Sequence, residues 1–96
     1  MNEIKINVNK TITKIAGNEL GVEKYNEKIK SICDDIKDQK FKIIFSDNID
    51  FIAPSFIQGF FEDIVLQIGI EGIENNFEFY AKQIPDLKET IIDSLR

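Results

Sequence analysis

Several residue types that support catalysis or cross-linking are missing or scarce in this chain of 96 residues. Histidine and tryptophan are absent, and cysteine occurs once, at Cys33. Without histidine, Ser-His-Asp and Cys-His arrangements are excluded, and so is the commonest general base and metal ligand. A single cysteine excludes an internal disulfide, and its place in an apolar helical stripe predicts a core residue. We therefore expect no enzymatic activity, no metal and no cofactor.

Long apolar runs and an excess of positive charge are lacking as well. No window approaches the roughly 18 consecutive apolar residues of a membrane span, and the first residues, MNEIKINV, contain no apolar signal region. We therefore expect a cytoplasmic protein that does not bind membranes. The 12 basic and 17 acidic residues give a net charge of −5. Because nucleic-acid backbones are bound by clustered Lys and Arg, this balance predicts no direct nucleic-acid binding.

What the chain does contain is an alternation of strand and helix patterns that fits one domain, residues 1–96. The predicted strands are 3–8, 41–45 and 77–81, with short extra strand signals at 11–15 and 49–52; the predicted helices are 20–38, 54–68 and 85–96, with a loop at 69–76. The run FKIIF at 41–45 is typical of a strand buried on both faces. The βαβαβα order predicts an α/β fold, a mostly parallel sheet of about four strands with helices packed on it.

The predicted helix 54–68 has the strongest apolar periodicity in the chain, and its narrow polar side contains two unusual residues. Ser55, Gly59, Glu62 and Leu66 form an outward stripe on that side. Glycine costs about 0.5–1 kcal/mol relative to alanine inside a helix, and Leu66 is apolar where solvent is expected. The stripe therefore predicts the close approach of another molecule. The alternative is that Gly59 packs against a neighbouring segment and that Leu66 is a single exposed apolar residue, which is common.

The segment KIIFSDNIDFIAPSFIQGFF, residues 42–61, resembles the STAS domains, and more closely the STAS-like domains of bacteria and phages. In that family a buried strand leads through a turn and a short apolar step to a serine-containing motif that begins a helix. Asp47 and Asn48 take the turn here, and Ala53-Pro54-Ser55-Phe56-Ile57 takes the motif.

The resemblance implies a regulatory domain related to the anti-sigma-factor antagonists. It implies that Ser55 is phosphorylated by a partner, an ATPase-type kinase of the anti-sigma type, and that the helix with its adjacent loops binds this partner. Phe45 and Ala53 stand where the family pattern has acidic residues. A helix-capping role is therefore the alternative for Ser55.

The leading prediction is a non-enzymatic STAS-like regulatory or adaptor domain, a monomer or weak dimer, that binds a protein partner. Its predicted binding residues are Ser55, Gly59, Glu62 and Leu66, with Asp47 and Asn48 at the rim. One alternative is a small-ligand or nucleotide-binding module that holds an anion at the beginning of the Ser55 helix. Another is an acidic phage or mobile-element protein that inhibits a host protein.

Overall fold

The computed structural model describes residues 1–33 and 35–96, and it shows a small α/β domain. Its elements are β1 (Asn2–Ile6), β2 (Lys14–Ile15), α1 (Asn18–Tyr25) with a π-helical continuation (Asn26–Lys30), β3 (Phe41–Phe45), β4 (Phe51–Ile52), α2 (Pro54–Asn76), β5 (Phe77–Tyr80) and α3 (Leu87–Leu95). None of the helices in these two ranges is long and apolar enough to cross a membrane.

Three of the strands form a parallel sheet in the order β1-β3-β5, and β2 and β4 form a separate parallel pair. β3 is central, with Ile43 paired to Ile4 on one side and to Phe79 on the other. The predicted α/β class and the mostly parallel sheet are confirmed. The expected single sheet of about four strands is instead a sheet of three strands and a separate pair. A loop separates β2 from β1, and another separates β4 from β3, so these short strands do not extend the main sheet.

The helices form one layer against the sheet, with α2 between α1 and α3. A strand order that advances in one direction, joined by right-handed crossovers, places the connecting helices on the same face. Phenylalanine side chains fill the space between the layers: Phe41 stacks on Phe77 with ring centroids 5.0 Å apart, and Phe61 of α2 meets Phe77 edge-on at 5.7 Å. Such pairs contribute about 0.5–1.5 kcal/mol beyond their buried area.

The first helix differs from its prediction over 20–38. It begins at Asn18, and its last helical turn, at Asn26–Lys30, is a π turn. A π turn holds more residues than an α turn, so the apolar stripe is displaced beyond Ile29. Ile32, in the turn that follows the helix, is 60% exposed, and Cys33, predicted on the helical stripe, also lies after the helix, half-buried against the core.

The segment predicted as a loop at 69–76 is helical, so that prediction is wrong. α2 continues through it to Asn76, with one non-helical residue, Gly69, at φ 72°. Glycine adopts this left-handed conformation without a steric penalty, so the chain kinks and resumes its helix. Ile73, fully buried, anchors the second part of α2 in the core.

Candidate functional site

Two glycines bring α1 and α2 into backbone contact. A Cβ atom added at Gly59 would lie 2.2 Å from the carbonyl oxygen of Asn18, and one added at Gly21 would lie 2.3 Å from the carbonyl oxygen of Phe56. Both glycines are buried. The prediction that Gly59 belongs to an outward binding stripe is therefore wrong, because the beginning of α1 covers it. Its role is the alternative one, packing within the chain.

Ser55 links the beginnings of the same two helices. It is the second residue of α2, after Pro54, and its Oγ accepts a hydrogen bond from the backbone N–H of Gly17 at 2.9 Å. Ala53, not Ser55, precedes the helix, and the helix has no side-chain cap. The alternative that Ser55 caps the helix is thus wrong. Pro54 occupies the first helical position, so Ser55 lies within the first turn instead of before it. Ser55 is exposed, and phosphorylation there stays a prediction.

A polar cluster that the sequence did not indicate lies farther along the α1–α2 contact. The hydroxyl of Tyr25 donates to Asp63 Oδ2, and Gln67 Nε2 donates to the same oxygen at 3.1 Å. Gln67 Oε1 in turn accepts the backbone N–H of Ile36 at 3.3 Å. Burial of the hydroxyl, then its bond to Asp63 and the charge of that carboxylate, raise the pKa of Tyr25 far above its ordinary value. The cluster joins α1, α2 and the segment before β3.

Asp47 and Asn48, predicted at the rim of the binding surface, lie in the loop between β3 and β4. The side-chain amide of Asn48 donates to the carbonyl oxygens of Asn9, at 3.1 Å, and of Ile12. The backbone carbonyl of Asp47 accepts from Gln83 Nε2 at 2.8 Å. Asn48 therefore holds the β1–β2 loop in place, a role that its position in a turn did not reveal.

The outer side of α2 borders an open groove of about 540 Å³ between α2 and α3. It is lined by Asn18, Gln58, Glu62, Val65, Leu66, Ser94, Leu95 and Arg96. Of the predicted binding residues, Glu62 and Leu66 line this groove, whereas Ser55, Gly59, Asp47 and Asn48 do not. Gln58 takes the place that the helical periodicity assigned to Gly59, because α1 approaches α2 from the Gly59 side.

The groove combines an apolar surface with opposite charges. Leu66 is 81% exposed, and Val65 and Leu95 beside it are partly buried against the core. Glu62 is exposed on the α2 wall, and the Arg96 guanidinium on the α3 wall lies 3.4 Å from a carboxylate oxygen of Glu74. Such a surface can hold an apolar side chain of another protein and orient it by charge. Within residues 1–33 and 35–96, no three His, Cys, Asp or Glu residues are grouped so that they could hold a metal ion.

The chain was compared with protein-family models, with curated proteins and with solved structures, and none of these comparisons found a match. The STAS-like resemblance of residues 42–61 accordingly stays a prediction.

Proposed function

We propose that the chain is a non-enzymatic regulatory or adaptor domain of the STAS-like kind, which binds a protein partner in the groove between α2 and α3. The observation that supports this most is the exposure of Leu66, 81%, in the middle of the helix that otherwise anchors the core. Covering a leucine side chain contributes about 1.5–3 kcal/mol. A single exposed leucine is ordinary, but this one continues into the apolar surface of Val65 and Leu95.

The apolar and charged side chains of the groove indicate which residues the bound segment of the partner should contain. It carries an apolar side chain for Leu66 and a basic residue that meets Glu62. The net charge of −5 favours a partner with a basic surface, because opposite fields accelerate association. Binding should therefore slow as the salt concentration rises.

Ser55 is the regulatory position in this proposal. It precedes Glu62 by seven residues of α2, about 10 Å along the helix axis. A phosphate would add a charge of about −1.5 to −2 there. It would make the electrostatic potential that the basic partner meets more negative. The small-ligand and host-inhibitor alternatives stay predictions.

Affinity capture from an extract of the source organism, using Leu66→Gln and a matched control, tests this proposal. Ile32→Gln is the control because Ile32 is also a largely exposed aliphatic residue, at 60%, and does not line the groove. A protein captured by the wild type and by Ile32→Gln, but bound about tenfold more weakly by Leu66→Gln in calorimetry with the purified partner, supports the groove. Equal binding by all three forms would contradict it.

A further inference from the structure

None of the helices in residues 1–33 and 35–96 covers one of the two faces of the β1-β3-β5 sheet. The helices pack on the face that carries Ile4, Ile43 and Phe77. The residues that alternate with these point to the other face: Glu3, Lys5, Lys42, Ile44, Glu78 and Tyr80. Lys42 and Ile44 are half-buried, the other four are exposed, and the prediction that β3 is buried on both faces is wrong to that extent. Parallel sheets usually have both faces covered, so a covering surface is expected here.

The strand register arranges the six side chains in two rows across the strands. The first row is Glu3, Lys42 and Glu78, and the second row is Lys5, Ile44 and Tyr80. Two acids and two lysines cancel on this face, whereas the whole chain has a net charge of −5. None of the ion pairs found within the described residues involves either lysine of this face. This face therefore adds no repulsion of its own to the repulsion between two acidic copies.

A two-fold axis that runs across the strands, between the two rows, makes this face complementary to itself. Each row then lies over the other row of a second copy, and every contact occurs twice. Glu3 faces Lys5 of the second copy, Glu78 faces the hydroxyl of Tyr80, and the aliphatic part of Lys42 covers Ile44. The other in-plane axis, along the strands, would place Glu3 opposite Glu78 and join like charges.

We propose that this uncovered face is the interface of a weak homodimer of the chain. Three strands about 4.8 Å apart, with about 3.3 Å per residue, give a face of roughly 14 by 17 Å. That is well below the about 800 Å² per partner of a stable complex, so the dimer should form only at high protein concentration. The inference goes beyond the proposed function, because the α2–α3 groove belongs to the opposite layer and stays accessible in both copies.

Sedimentation of the full chain at about 10 µM to 1 mM tests the interface. The average mass of the wild type should rise above that of the 11.1 kDa monomer with concentration. In the dimer of Lys5→Glu, the new carboxylate at position 5 of each copy faces Glu3 of the other copy. In the dimer of Glu3→Lys, the new ammonium group at position 3 of each copy faces Lys5 of the other copy. Each variant alone should dimerise about tenfold more weakly. An equimolar mixture should dimerise again, because every charge contact between the two variants is then between opposite charges.

Lys30→Glu and Glu23→Lys are the matched controls, since they change the net charge equally at exposed positions of the first helix. They should dimerise like the wild type, and circular dichroism should show all variants folded. A wild type that stays monomeric at about 1 mM, variants that dimerise normally, or a mixture no tighter than its components would each overturn the proposal. The variants of the sheet face should still bind a partner in the α2–α3 groove, so partner binding and dimerisation are separate readouts.

Discussion

The two flanks of α2 are built differently, although the same helix presents both. On the α1 side, Gly21 and Gly59 permit backbone contact, and the bonds of Ser55 and Tyr25 join the two helices. On the α3 side, Gln58 makes a long bond to the Ser94 carbonyl, 3.4 Å, and the space above Leu66 stays open. The two glycines thus allow one flank to close, whereas an open groove remains along the other flank.

Among the changes at the two flanks, the largest effect is expected when the closed flank is forced apart. In Gly59→Ala the new Cβ would lie 2.2 Å from the carbonyl oxygen of Asn18, a backbone atom that moves only with its helix. The gain in helix propensity, about 1 kcal/mol, is smaller than the cost of such overpacking. We expect the free energy of unfolding to fall by about 2–3 kcal/mol in urea titrations, since the clash is with backbone and its cost lies at the upper end of the range for overpacking.

Gln58→Ala is the control, because it shortens an exposed neighbour on the open flank of the same helix. Its free energy of unfolding should change by less than about 0.5 kcal/mol. Equal stability of Gly59→Ala and Gln58→Ala would mean that the two flanks do not differ in closeness of packing.

The sequence predicted the part of α2 at residues 54–68 and the bounds of β3 well because each has a strong local pattern, the first of helical period and the second a continuous β-favouring run. It misplaced Gly59 because helical periodicity gives directions around one helix axis and not the positions of neighbouring helices. It missed the helix after Gly69 because two glycines and two asparagines look like a loop, whereas the burial of Ile73 is a tertiary effect. Contacts between elements were thus the part that could not be predicted.

The second effect concerns the buried hydroxyl on the closed flank. Tyr25→Phe removes one of the two donors to the Asp63 carboxylate and leaves the other, Gln67. It should lower the free energy of unfolding by about 2 kcal/mol. Because the pKa of Tyr25 is raised in the folded chain, the hydroxyl stabilises the fold fully below the ordinary tyrosine pKa of about 10. That contribution is lost as the pH rises above this value.

Urea titrations at about pH 8 and about pH 11 measure this dependence. The difference in stability between wild type and Tyr25→Phe should be smaller at the higher pH. The exposed Tyr80 is present in both proteins, so its ionisation cancels in the difference. A constant difference would show that the Tyr25 hydroxyl ionises equally in the folded and unfolded chains.

A smaller effect is expected where the two helices begin. Ser55→Ala removes the acceptor of the Gly17 N–H and should lower the free energy of unfolding by about 1 kcal/mol. Amide hydrogen exchange at Gly17 should accelerate in the same variant. Ser55→Thr keeps a hydroxyl at this position and should preserve the protection; if Ser55→Ala exchanges like wild type, the bond does not join the helices in solution.

The smallest effect on stability is expected on the open flank, at the residue with the largest proposed role in binding. Leu66→Gln replaces one good helix former by another, at a side chain that is 81% exposed. The free energy of unfolding should therefore change by less than about 0.5 kcal/mol. Ile64→Ala, two residues earlier and fully buried, should cost about 2–5 kcal/mol in the same titration. A loss above about 1 kcal/mol in Leu66→Gln would mean that Leu66 is covered in solution. An unchanged stability together with weakened partner binding would separate the two flanks of α2 into one that holds the fold and one that recognises the partner.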